Sequence, residues 1–96
     1  MSIRASDVDQ AFKKLRMEIK DTKDRHAVFY YAGKRILKTK RSFGAGKIDN
    51  NTQYLIRQQL KLSDHQFSEL LKCPLDYDGY LEVLKTKGFI PRNIEH

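Results

Sequence analysis

The sequence predicts a single α+β domain in which a three-stranded antiparallel sheet packs on helices, in α-β-β-β-α order with additional C-terminal helices. Two patterns support this class. Apolar residues have helical spacing near the N-terminus and in the second half of the chain, and the residues between them alternate as in strands. A length of 96 residues suits one domain with a modest core, so we assign residues 1–96 to a single domain.

The first helix is predicted from Asp7 to Arg16, with Ser6 as its N-cap. Its apolar residues have the i, i+3, i+4, i+7 spacing of one helix face and are Val8, Ala11, Phe12 and Leu15. The next residues alternate between apolar and polar. We therefore expect Met17 and Ile19 on one face of a short first strand.

A β-hairpin is predicted next, because aromatic and β-branched residues fill the segment from His26 to Tyr31. Gly33 supplies the positive φ that a tight turn requires, and the second strand of the hairpin then runs from Arg35 to Arg41. A sheet that helices cover on one side presents alternate side chains of such a hairpin to a partner on the other side.

Two orientations of the first hairpin strand fit its residues. In one orientation the residues that face the helices are Ala27, Phe29 and Tyr31. His26, Val28 and Tyr30 then lie on the open side of the sheet. In the other orientation Val28 and Tyr30 serve as core residues equally well, so the sequence leaves both orientations open.

Three further helices are predicted after the sheet. The first begins after polar N-caps and ends near Leu60, and the second opens with the Ser-x-x-Gln capping box at 63–66 and ends at 73–74. The last helix ends at Gly88, the expected C-cap. Its apolar residues again have helical spacing and are Tyr77, Tyr80, Leu81 and Leu84.

The charge of the chain indicates a polyanionic partner. The formal net charge is +7 and the pI is about 9.6, and Lys and Arg concentrate between Lys34 and Lys47. A concentration of cations on one segment is typical of nucleic-acid binding. A membrane surface is the weaker interpretation, because surface-binding segments are usually basic amphipathic helices and this segment alternates like a strand.

Other features exclude several classes of protein. Cys73 is the single cysteine, so no intrachain disulfide is expected, and no Cys or His spacing matches a zinc site. The chain has no N-terminal apolar run and no stretch of about 18 apolar residues. We therefore expect a cytoplasmic protein without a membrane partner, a metal site or a small-molecule cofactor.

Several short motifs occur in an order that is also seen in one known family. They are His26 followed by Phe29 and Tyr30, the hairpin at Gly33, Gly46-Lys47-Ile48, Ile56-Arg57-Gln58, and Leu62-Ser63. In this order they resemble the HicA toxins (mRNA interferases), small RNA-cleaving proteins with a double-stranded-RNA-binding-domain-like fold. The resemblance covers roughly Val8 to Leu71, and it divides the chain into a HicA-like core at 7–71 and a C-terminal helical extension at 73–90. Asp24-Arg25 departs from the family pattern, which usually has Gly-Ser before the histidine.

The resemblance implies RNA cleavage without a metal, with His26 as the catalytic residue, and a separate antitoxin protein as a partner. An imidazole suits this chemistry, because it titrates near neutral pH and because general acid–base catalysis contributes about 10²- to 10⁴-fold. The aromatic and basic residues of the hairpin and the following loop are candidates for stacking on bases and binding phosphates. The candidate nucleic-acid-binding residues are Arg25, Tyr30, Lys34, Arg35, Lys38, Lys40, Arg41 and Lys47.

Alternatives from other classes stay open. Two helices joined by residues 60–63 resemble a helix-turn-helix. The residues that would reach base edges of DNA in it are Arg57, Gln58, Gln59, His65 and Gln66. A protein-interaction module without a nucleic-acid partner is a third interpretation. For the basic strand, the plainest interpretation is an edge strand whose lysines prevent sheet-to-sheet aggregation, and for His26 it is an exposed strand residue.

Overall fold

The computed structural model describes residues 3–43, 46–72 and 74–91 of the chain. It contains a three-stranded antiparallel sheet of order β1-β2-β3, preceded by one helix and followed by further helices, and this confirms the predicted α+β class. The elements are α1 (Ala5–Lys14), β1 (Glu18–Asp21), β2 (Asp24–Tyr31), β3 (Lys34–Ser42), α2 (Asn50–Gln59), α3 (Asp64–Leu71) and α4 (Tyr77–Lys87). Within the described ranges no helix is long and apolar enough to cross a membrane.

Helix α1 lies two residues nearer the N-terminus than predicted at both of its ends. Asp7 belongs to the first turn, where its carboxylate accepts a hydrogen bond of 2.9 Å from the backbone N–H of Arg4. Arg4, rather than Ser6, is therefore the N-cap. At the other end Arg16 adopts a positive φ of 56°, which is incompatible with a continuing helix.

The predicted hairpin is confirmed, and its turn consists of Ala32 and Gly33, with φ values of 52° and 79°. A positive φ at both central residues is what a type I′ turn requires, and this turn matches the twist of the strands that it joins. The ladder between β2 and β3 contains a register shift at Phe29/Tyr30, so Tyr30 lies opposite Arg35. The shift increases the local twist at the turn end of the hairpin.

The orientation of β2 that the sequence left open is settled by burial. Ala27 and Phe29 are fully buried against the helices, whereas Tyr30 is exposed and His26 is half-buried. The ring of Phe29 meets the ring of Tyr80 in a T-shaped contact with centroids 5.2 Å apart. One face of the sheet is therefore covered, and we call the other, which carries His26 and Tyr30, the open face.

Strand β1 departs from the predicted pattern. Met17 is buried as expected, but Ile19 is 42% exposed, and every residue of the strand is exposed. Ile19 does point toward the covered side, because it pairs with Ala27. The helices bury the middle of the sheet more completely than its β1 edge, so an apolar side chain remains in contact with solvent there.

Helix α4 belongs to the same core as the rest of the chain. Tyr80 and Leu84 are fully buried in one cluster with Phe12 and Phe29. The Tyr80 hydroxyl donates a 2.7 Å hydrogen bond to the carbonyl of Leu60, and burial raises the pKa of this phenol. The segment predicted as an extension therefore packs as an integral layer of the fold.

For the three helices that follow the sheet, the predicted caps agree with the structure. Asp49 accepts a 2.7 Å hydrogen bond from the N–H of Thr52, and this bond holds the pKa of the Asp49 carboxyl below its usual value. Ser63 and Gln66 form the predicted capping box, and Gly88 ends α4 with a φ of 84°. Cys73, at the predicted end of α3, lies outside the described residues.

Candidate nucleic-acid interface

A row of three side chains crosses the open face from one edge of the sheet to the other. His26 lies on the central strand, directly opposite Lys20 of β1 and Lys40 of β3. Residues directly opposite in antiparallel strands have Cβ atoms about 4.5–5.5 Å apart. The strand register therefore places an imidazole between two flexible ammonium groups, and we call these three residues the Lys–His–Lys row.

The imidazole of His26 is oriented by the turn between β1 and β2. Its Nε2 atom lies 3.0 Å from the hydroxyl oxygen of Thr22, within hydrogen-bonding distance. Because a hydroxyl both donates and accepts, this contact is compatible with either tautomer of a neutral ring and with the protonated ring. Since the contact uses Nε2, Nδ1 is the ring nitrogen that is available to a ligand.

A shallow pocket lies beside this row at the β3 edge. It has a volume of about 160 Å³ and is lined by His26, Lys38, Lys40, Thr39 and Gln59. The hydroxyl of Thr39 donates a 2.7 Å hydrogen bond to the side-chain carbonyl of Gln59, which ties the buried face of β3 to α2. The pocket therefore combines one imidazole and two ammonium groups with a fixed polar floor.

The turn end of the open face carries an aromatic residue among cations. Tyr30 is 44% exposed and lies opposite Arg35, and Lys34 begins β3 at the turn. An exposed tyrosine ring offers a stacking surface for a base, and an adjacent guanidinium adds charge and a second planar group. These three predicted residues are brought to the same end of the sheet.

Carboxylates offset part of this positive charge. Asp24 pairs with Lys40 at 3.2 Å, and Glu18 lies on the same face opposite Val28. The Lys40 side chain is 59% exposed, and an ion pair this exposed contributes little and exchanges readily with a competing phosphate. The cations of the open face outnumber these two carboxylates; they are Lys20, Arg35, Lys38 and Lys40.

Arg25 and Arg41, two of the predicted phosphate-binding residues, are directed to the covered face. Arg41 is 7% exposed, and its Nε and Nη2 atoms each donate a 2.7 Å hydrogen bond to the carboxylate of Asp9. Arg25 donates to Asp9 at 3.0 Å and forms two hydrogen bonds with Asp21, which lower the pKa of the Asp21 carboxyl. The structure therefore brings neither arginine to the open face.

Lys47 is exposed but lies apart from the Lys–His–Lys row. It forms an isolated β-bridge with Arg4 in the segment before α2. It lines a separate pocket of about 160 Å³ together with Phe43 and Asp49. Of the predicted basic residues, the structure thus groups Arg35, Lys38 and Lys40 with Tyr30 and His26 on the open face. Lys34 lies at the turn opposite Tyr31, which packs against the core, so the register does not place it on the open face. The residues that lie apart from the open face are Arg25, Arg41 and Lys47.

Two residues of this surface, Lys20 and Thr22, were missed in the sequence. The alternation that places Ile19 toward the core also places Lys20 on the opposite face, so the signal for Lys20 was present. Its position beside His26 depends on the register between β1 and β2, which the turn geometry sets. Thr22 gave no signal, because its hydroxyl reaches His26 only through the shape of that turn.

In the region that resembles a helix-turn-helix, the guanidinium of Arg57 is held by contacts within the chain. Arg57 forms an ion pair of 3.0 Å with Asp64, donates 2.9 Å to the carbonyl of Leu62, and stacks over Tyr54. Its guanidinium therefore stabilises the junction between α2 and α3. Gln58 donates a 2.8 Å hydrogen bond to the hydroxyl of Tyr54.

Comparisons with known proteins give no relative. No family model matches the chain, and no curated protein and no solved structure matches it significantly. Among the described residues, no group of three or more His, Cys, Asp or Glu side chains is placed to hold a metal ion. The interpretation of the site therefore depends on its own geometry.

Proposed function

We propose that this chain binds RNA on the open face of its sheet and that His26 assists cleavage of the bound strand. The Lys–His–Lys row carries this proposal, because it combines a titratable group with two mobile cations on a surface that the helices leave uncovered. Binding of a polyanion also agrees with the net charge of +7.

The reaction is internal transesterification of the RNA backbone. The imidazole of His26 takes the proton of a 2′-hydroxyl, whose oxygen attacks the adjacent phosphorus, and the bond from phosphorus to the 5′-oxygen breaks. The proton passes to that leaving oxygen, which gives a 2′,3′-cyclic phosphate and a free 5′-hydroxyl. Lys20 and Lys40 stabilise the charge that builds up on the phosphorane oxygens.

The roles of the remaining open-face residues follow from their positions. Lys38 and Arg35 continue the line of cations along β3 toward the turn, where they bind neighbouring phosphates. Tyr30 stacks on an unpaired base, which a duplex does not offer without opening. The proposal therefore includes a preference for RNA with single-stranded segments over duplex DNA.

Replacing His26 by Ala tests the catalytic part. Loss of a general acid–base group lowers the rate of RNA cleavage by about 10²- to 10⁴-fold, while RNA binding and the far-UV circular dichroism spectrum remain close to those of the parent. His65→Ala is the matched control, because His65 is a solvent-exposed histidine on α3. Cleavage that is unchanged in His26→Ala removes the catalytic claim.

A salt titration tests the binding part separately. The logarithm of the RNA association constant falls linearly with the logarithm of salt concentration, and Lys38→Ala should reduce this slope by about 0.7 to 0.9, the value for one phosphate contact. Lys13→Ala, a cation of α1, should leave the slope unchanged. Equal effects of the two substitutions, or tighter binding of duplex DNA than of RNA, would count against the open face as an RNA-binding surface.

A further inference from the structure

The outer edge of β1 has no partner strand in the part of the chain that the structure describes. Among the described residues this strand pairs with β2 alone, and all four of its residues are exposed. An unpaired strand edge presents free backbone N–H and C=O groups, and natural proteins usually cover or block it. Here the edge also carries Ile19, whose side chain is 42% exposed.

The sequence of β1 is complementary to itself in the antiparallel direction. When two copies pair with Ile19 opposite Ile19 of the second copy, Glu18 lies opposite Lys20 of the second copy, and Lys20 lies opposite Glu18 of the second copy. Opposite charges directly across a strand pair are stabilising, and symmetry repeats this pair on both sides of the axis. Parallel pairing would instead place each charge beside its own kind.

Strand β3, at the other edge of the sheet, is not suited to pairing with its own copy. The open-face positions of β3 include Lys38 and Lys40, so antiparallel pairing of two β3 strands brings lysine opposite lysine. Like charges directly opposite are destabilising. The two edges therefore differ in kind: β3 repels its own copy, and β1 matches it.

On the covered side, the same pairing buries apolar surface. Ile19 borders a groove of about 480 Å³ between α1 and β1 that is also lined by Phe12 and Met17. In the antiparallel register the two Ile19 side chains meet beside this groove and shield each other from water. A second copy of the chain would thus pair with the charges of β1, form hydrogen bonds with its free backbone groups and cover the exposed Ile19 side chain.

We infer that two copies of the chain associate through antiparallel pairing of their β1 strands and form a continuous six-stranded sheet. The two open faces then join on one side, with both Lys–His–Lys rows in the same surface. Because a four-residue strand buries little area, the dimer is reversible rather than obligate. The association needs no RNA, so it stands or fails independently of the proposed function.

A charge swap tests this pairing by analytical ultracentrifugation of the full chain without RNA over a concentration series. The parent shows a concentration-dependent monomer–dimer equilibrium. Each substitution occurs twice in the symmetric interface, so Glu18→Lys and Lys20→Glu each raise the dissociation constant about tenfold. The double variant, which exchanges the two charges, returns to the parent value, and Lys38→Glu, on the far strand, leaves the dissociation constant unchanged.

A thiol trap gives a second readout. Directly opposite residues have Cα atoms about 4.5–5.5 Å apart, which a disulfide spans, so Ile19→Cys in a Cys73→Ser background should form a covalent dimer with oxidised glutathione. Lys20→Cys in the same background should do so much less. Any one of three outcomes would overturn the inference. The parent stays monomeric in the ultracentrifuge, the single charge reversals leave the dissociation constant unchanged, or the double variant does not return to the dissociation constant of the parent.

Discussion

The two faces of β3 use their cations for opposite purposes although the residues are adjacent in sequence. Arg41 points to the covered face, where two hydrogen bonds fix it to Asp9 of α1. Lys40 points to the open face, where its side chain pairs with Asp24 and remains 59% exposed. The cations of one basic strand therefore fall into two groups: those on the covered face stabilise the fold, and those on the open face are available to a ligand.

The largest effect on stability is expected from breaking the buried ion pair between Arg41 and Asp9. Asp9→Asn leaves the guanidinium of Arg41, which is 7% exposed, without a charged partner. We expect a loss of about 3 kcal/mol in the free energy of unfolding, below the upper range for buried pairs because Asp9 itself is partly exposed. Urea denaturation followed by circular dichroism measures this loss.

Asp24→Asn is the matched control for that experiment, because it removes the carboxylate that pairs with Lys40 on the open face. The expected loss is below about 1 kcal/mol, as for other exposed ion pairs. Equal losses in the two variants would contradict the division of the cations of the basic strand into two groups.

A second comparison concerns two tyrosines on opposite sides of the sheet. Tyr80→Phe removes the hydroxyl that donates to the carbonyl of Leu60 and leaves that buried carbonyl unsatisfied. We expect a loss of about 1 to 2 kcal/mol in the free energy of unfolding. Tyr30→Phe should change stability little, because Tyr30 is exposed on the open face, and a larger loss at Tyr30 than at Tyr80 would reverse the assignment of the two faces.

The same comparison separates what the sequence predicts from what it does not. Local patterns predicted the order of the elements, the capping box at Ser63 and the end of α4 at Gly88, because each depends on residues within a few positions of one another. The orientation of β2 stayed open because apolar residues occupy both of its faces. The contact between Phe29 and Tyr80, which are far apart in sequence, decides which face of β2 is buried.

The candidate site was predictable to a similar extent. His26, Lys38 and Lys40 carry a local signal of charge and alternation, and the structure does group them. The role of Arg41 depends on Asp9, a residue 32 positions away, so no local pattern distinguishes it from Lys40. Lys20 joins the site only through strand register, which in turn depends on the β1–β2 turn.

The smallest expected effect is a dependence of stability on acid pH through Asp21. Its side-chain hydrogen bonds with Arg25 hold the pKa of the Asp21 carboxyl in the folded protein below the value in the unfolded chain. A carboxyl with a lowered folded pKa contributes stability above its unfolded pKa, about 3.9, and this contribution is lost as the pH falls through the folded pKa.

Asp21→Asn should therefore flatten the fall in stability below about pH 4, while Arg25 keeps its contact with Asp9 and the chain stays folded at neutral pH. Thermal unfolding between neutral and acid pH measures the slope for the parent and the variant. If Asp21→Asn steepened the acid slope, or left it as in the parent, the pairing of Asp21 with Arg25 could not be the source of the lowered pKa. Because the pair lies at the β1–β2 end of the sheet, the result also reports how firmly the turn that orients His26 is held.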